Sequence, residues 1–171
     1  MNIKHTHEYR LIQSHYADRV ARRSGVPLIN HIDEGLSVLD AISATDNSKR
    51  AFCIHPLLQR DEDLALYYQM VAACCTSDIV LLAMEYRNVA NRWLSDSALS
   101  PDPPVLSPLQ AVNDMLIADK VQNRKDFLRY HQATHERSSE LTVYFTRWLD
   151  ALGISSETYQ ILCKRIDDNI S

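Results

Sequence analysis

Residues 77–95 read SDIVLLAMEYRNVANRWLS, and they decide the fold class. Ile79, Leu82, Tyr86, Val89 and Trp93 follow one another at alternating spacings of three and four. That is the repeat of one helix face, not the two-residue alternation of a strand. The stripe predicts an amphipathic helix with its apolar side in a core. Across the whole chain, glycine occurs only at Gly25, Gly35 and Gly153. A meander or doubly wound sheet uses turn glycines at nearly every corner, so the expectation is an all-α bundle of about seven or eight helices.

Outward from residue 77, short polar clusters and prolines set the other boundaries. A first amphipathic stretch is expected over 8–23, stopped by Ser24-Gly25, and Pro27 suits the first turn of a second helix running to about Ala44. A third helix begins after Asp46-Asn47 and is expected to fail around His55, because Pro56 disfavours helical geometry in the residue before it. A fourth covers 61–75. Residues 96–107, with Pro101, Pro103 and Pro104, read as the long loop, either a lid or a connector. Ser107-Pro108-Leu109-Gln110 places a cap, a first-turn proline and a capping-box glutamine in order, which opens a long helix to about His131. Two more helices are expected near 135–152 and 156–169, with Gly153 as the stop between them.

The 171 residues are 46% apolar, enough for one sizeable core, so a single domain over 1–171 is expected. Lys plus Arg total 18 against 22 Asp plus Glu, a formal charge of -4. Nonspecific binding to nucleic acid or to an anionic membrane needs a clustered basic surface that this balance does not supply. No run of apolar residues approaches a bilayer span and MNIKHTHEYR has no signal core, so a cytoplasmic location is expected. Cys53, Cys74, Cys75 and Cys163 are too few for a disulfide scaffold and lack zinc-finger spacing; they read as small buried apolar side chains.

Three polar residues fall where helical faces otherwise look buried. His31 lies beside the face of Leu28, Ile32, Gly35, Leu36, Leu39 and Ile42, and His55 is flanked by Ala51, Phe52 and Leu58. Asp119 and Asn123 interrupt the stripe of Val112, Leu116 and Phe127. A buried carboxylate needs a compensating cation, and two imidazoles with a carboxylate are a ligand set for a divalent ion, whether Mn, Mg, Fe or Zn. His131 and His135, four residues apart, lack a third ligand candidate and read as surface, while His5 and His7 lie in a frayed terminus.

The run Arg23-Ser24-Gly25-Val26-Pro27-Leu28-Ile29-Asn30-His31, the segment Ala51-Phe52-Cys53-Ile54-His55-Pro56 and the segment Ile117-Ala118-Asp119-Lys120-Val121-Gln122-Asn123 occur in that order. Together they resemble the motifs of HD-superfamily phosphohydrolases, in particular the (p)ppGpp hydrolase domains. The resemblance covers roughly 8–130, with the helices of 135–169 packed on that part. It implies an HD-like helical bundle, His31, His55 and Asp119 as metal ligands, and Arg23, Lys120, Asn123 and Arg124 near a nucleotide phosphate. The activity implied is metal-dependent hydrolysis of a nucleotide phosphate ester or anhydride, or of another phosphorylated small molecule.

The departure lies at Pro56, where the family has the aspartate of its His-Asp pair. The family's acidic pair shortly after it meets Gln59-Arg60, with Asp61, Glu62 and Asp63 just beyond. Two readings stay open. In one, a shifted catalytic carboxylate, Asp61 or Asp63, enters from a rearranged loop. In the other, a degenerate HD domain binds a nucleotide or a protein partner without turning it over. The sequence leaves the oligomeric state open.

Overall fold

The computed structural model describes residues 1–22, 24–94 and 102–170, with only the backbone described at 169 and 170. It is all-helical: α1 His7–Tyr16, α2 Ile29–Ala41, α3 Asp46–Gln59, α4 Asp61–Cys74, α5 Ser77–Arg92, α6 Gln110–Asp126, α7 Ser138–Ala151 and α8 Ser156–Ile170. A 3₁₀ turn at Ile3–His5 precedes α1, and a π-helical turn at Phe127–His131 prolongs α6. Among the described residues no strand forms and no helix is long and apolar enough to cross a membrane.

Two helices carry the interior. α3 packs on α5, α4 and α1, and α6 packs on α2, α5 and α3. α6 is buried around most of its circumference, with Val112, Met115, Leu116, Ala118 and Val121 fully or nearly fully removed from solvent. Such a helix reads as apolar all round only if its polar residues find partners, and Asp119, Lys120, Gln122 and Lys125 are all buried with them. The stripe of Ile79, Leu82, Tyr86, Val89 and Trp93 on α5 is buried as expected, and Trp93 stacks on Tyr144 of α7. Gly153 follows α7 with a φ of +72°, a conformation in which a side chain is strained.

Several boundaries differ from the sequence expectation. α1 ends at Tyr16 instead of near residue 23, because the chain beyond it pairs with itself: Val20 bridges Pro27, Ala21 N–H donates to Val26 O, and Leu28 N–H donates to Arg19 O. α2 accordingly starts at Ile29, with Pro27 just ahead. α6 starts at Gln110, and Gln110 donates to Asp114 instead of reaching back to Ser107. Ser107 caps locally, accepting from Leu109 N–H and donating to Glu85. Only Cys53 of the four cysteines is fully buried; Cys74 is exposed and the other two are half-buried. The loop expected over 96–107 falls partly on residues 95–101, outside the described residues.

The largest departure is α3, which runs straight through Pro56 to Gln59. Helical neighbours on three sides bury Phe52, Ile54, Leu57 and Leu58 completely, so packing outweighs a local penalty of about 3 kcal/mol for an interior proline.

The crossing of α2 and α3 depends on Gly35. A Cβ there would fall inside the envelope of Phe52 Cε1 and Cζ. The Phe52 ring is fully buried and lies against His31 and His55, with centroids 5.6 and 4.6 Å away, so it has nowhere to swing. Gly35→Ala is expected to cost about 1–3 kcal/mol by overpacking despite alanine's better helix propensity, as read by urea denaturation. An unchanged or raised midpoint would show that the two helices separate freely.

Candidate metal centre

α2, α3 and α6 each deliver one side chain to a common point. His31 sits in the first turn of α2, His55 on the buried face of α3, and Asp119 midway along α6. His31 Nε2 lies 3.3 Å from His55 Nε2 and 3.7 Å from Asp119 Oδ1, and His55 Nε2 lies 4.0 Å from the same oxygen. Atoms bound about 2.0–2.2 Å from one ion stand roughly 3–3.5 Å apart, so contraction by a few tenths of an ångström would complete a shared shell.

The hydrogen-bond partners fix which nitrogen of each ring is bare. Gln122 Nε2 donates to Glu34 Oε2 at 3.0 Å and to Asp126 Oδ2 at 2.8 Å, so its Oε1 is the atom that faces His31 Nδ1 at 2.7 Å. That oxygen only accepts, hence the proton of a neutral His31 is on Nδ1. His55 Nδ1 lies 2.6 Å from the carbonyl of Phe52, which again only accepts. In their neutral forms both rings therefore turn unprotonated Nε2 atoms toward each other and toward a carboxylate oxygen. In that form none of the three atoms offers the others a hydrogen, an arrangement that a cation satisfies. Two imidazole nitrogens and one carboxylate oxygen suit a borderline divalent ion and leave coordination positions open.

Asp119 is held by its neighbours as well. Asn123 Nδ2 donates to Oδ1 at 2.8 Å, and Lys120 Nζ donates to Oδ2 at 2.7 Å. Lys120 is buried and also reaches Tyr144 Oη at 3.2 Å with its charge over the Trp148 ring. Burial alone would raise the Asp119 carboxyl, but Lys120 first and the two histidines next outweigh it and hold the group down at about 2. Burial likewise pushes Lys120 down, and Asp119 more than reverses that. For His55, burial and then the nearby His31 push the ring down to about 3, so it remains neutral at ordinary pH. Buried Tyr86 packs edge-on against His55.

These groups form the floor of a cavity of about 740 Å³, large enough for a nucleotide-sized molecule. His31, His55, Asp119, Lys120 and Asn123 all line it. Asp63 is on the lining at the mouth beside Arg60, whereas Asp61 is exposed, paired with Arg87, and outside the lining. Lys120 is not a solvated residue: it lines the cavity with two of its three ammonium hydrogens donated to Asp119 and Tyr144. Arg124 is not on the lining; its guanidinium stacks over Tyr159 at 4.4 Å. Arg23 lies outside the described residues. His131 and His135, expected on the surface, are half-buried on the cavity wall.

The sequence reading missed the groups that orient His31. Glu34 lies three residues after His31, and Gln122 three after Asp119, one helical turn away in each case. Lys125 ties the set together, bonding Glu34 at 2.6 Å and Asp126 at 3.1 Å. Paired polar residues at that spacing on two otherwise apolar helices were the available signal. Arg19, on the cavity wall from the loop after α1, left none. No family model, curated protein or solved structure matches the chain.

Proposed function

We propose that this protein is a metal-dependent phosphohydrolase of the HD type, acting on a nucleotide phosphate ester or anhydride in the cytoplasm. The observation that carries the reading is the convergence of two bare imidazole nitrogens and one carboxylate oxygen on the floor of a nucleotide-sized cavity. A divalent ion bound there would lower the pKa of a coordinated water and offset charge on a phosphoryl oxygen. Arg19 and Arg60 on the walls supply guanidinium groups suited to phosphate, and Asp63 is the carboxylate at the mouth placed to handle a proton.

One observation favours the second reading, a domain that binds a nucleotide without turning it over. Asp61 is engaged by Arg87 away from the cavity, and Asp126 is engaged by Gln122 and Lys125. That leaves Asp63 as the one carboxylate on the described lining that neither joins the ligand cluster nor bonds to its supporting residues.

A panel of nucleoside mono-, di- and triphosphates together with (p)ppGpp, assayed for phosphate and pyrophosphate release with added manganese or zinc, separates the two. The hydrolase reading expects metal-dependent release from at least one compound. Release should fall at least 100-fold in Asp63→Asn and to background in His31→Ala. Absence of release across the panel, with nucleotides still raising the melting temperature, would replace the hydrolase by the binder.

A further inference from the structure

We propose that Pro56 sets the ligating form of His55, and so is a positioning residue of the metal centre and not merely the place where a carboxylate has been lost. This rests on the metal-binding reading of the cluster. In an unbroken α-helix the carbonyl of Phe52 accepts from the backbone N–H of the residue four positions on. Residue 56 has no such hydrogen, and its ring crowds that same carbonyl outward. Phe52 is fully buried, so no water replaces the missing donor, and an unpartnered carbonyl there would be costly.

The replacement comes from the next residue back. His55 Nδ1 lies 2.6 Å from Phe52 O, within the same helical turn. A carbonyl cannot donate, so this bond commits the ring hydrogen to Nδ1 and leaves Nε2 bare, 3.3 Å from His31 Nε2. In a helix with an ordinary residue at 56 the backbone N–H takes the carbonyl and competes with the imidazole for it. The proline removes that competitor. His31 reaches the same form by an unrelated route, through Gln122. The two ligands are thus oriented independently, and this permits a crossed test.

The experiment reads the ring tautomers directly, by long-range proton–nitrogen NMR of the chelated protein at about pH 8.5, where unperturbed imidazoles are neutral. Wild type is expected to show hydrogen on Nδ1 of both His31 and His55. Pro56→Ala should shift His55 toward the Nε2-protonated form and leave His31 unchanged; Gln122→Met should do the reverse. Zinc titrated calorimetrically should bind Pro56→Ala about 10- to 100-fold more weakly, the range seen when a ligand's supporting contact is lost. The melting temperature of chelated Pro56→Ala should not fall, since alanine is the better helix former. A merely structural proline would leave the His55 signal where it is. An unshifted His55 signal in Pro56→Ala, or hydrogen on Nε2 of His55 in wild type, overturns the proposal. If wild type shows both expected tautomers yet binds no zinc, the metal reading falls and the assignment of Pro56 to the His55 tautomer stands.

Discussion

Asp119→Ala is expected to destabilise the fold by about 3–5 kcal/mol, the largest single-site effect outside the apolar core. The loss comes from what stays behind. Lys120 remains buried, with an ammonium whose strongest partner was 2.7 Å away. The Tyr144 hydroxyl and the faces of Tyr144 and Trp148 are its other contacts, and they do not balance a full charge. Adding Lys120→Met removes the orphaned charge while keeping its volume against Trp148, and the double variant should recover most of the stability. Urea denaturation of the two single variants and the double variant, with chelator present, tests this. A double variant no better than Asp119→Ala alone would mean that the pair is not what holds that part of α6 inside.

Zinc should stabilise the wild type strongly and His31→Ala hardly at all. A ligand bound only to the folded state adds about 2.7 kcal/mol when present at one hundred times its dissociation constant. For a chain of this length that is a rise in melting temperature of roughly 5–10 °C, reversed by chelator. His31 is half-buried at the start of α2, so its truncation should leave the chelated protein close to wild type in stability. That separates ligation from packing, which the deeply buried His55 would not. Equal zinc responses in the two proteins would place any bound ion elsewhere.

How much of this was legible in the sequence follows the range of the forces involved. Helical periodicity is local, so the α5 stripe and the α7–α8 stop at Gly153 could be read directly. The inward polar residues were also visible, because His55 and Asp119 interrupt apolar faces at countable spacings. What the sequence hid was tertiary. Nothing near residue 17 announces that the chain after α1 will bond across to residues 26–28 instead of continuing as helix. Pro56 looked like a helix end because only the burial of Phe52, Ile54, Leu57 and Leu58 beside it shows why the helix survives it. The partners of Lys120 come from α6 itself and from α7, and only the packing of those two helices brings Tyr144 within reach.

The close approach at Gly35 has a consequence for how this chain can diverge. Positions 35 and 52 share one fixed volume at the α2–α3 crossing, and the ring that fills it also walls in both imidazoles. A methyl gained at 35 costs about 1–3 kcal/mol while the ring at 52 remains, so the two sites are expected to change in a preferred order, with the smaller residue at 52 appearing first. Sequences of common descent are therefore expected to pair glycine at 35 with an aromatic at 52, and alanine or serine with leucine or valine, while the combination bearing both large groups is rare. A collection of descendants in which the two positions vary independently would show that the crossing tolerates either side chain.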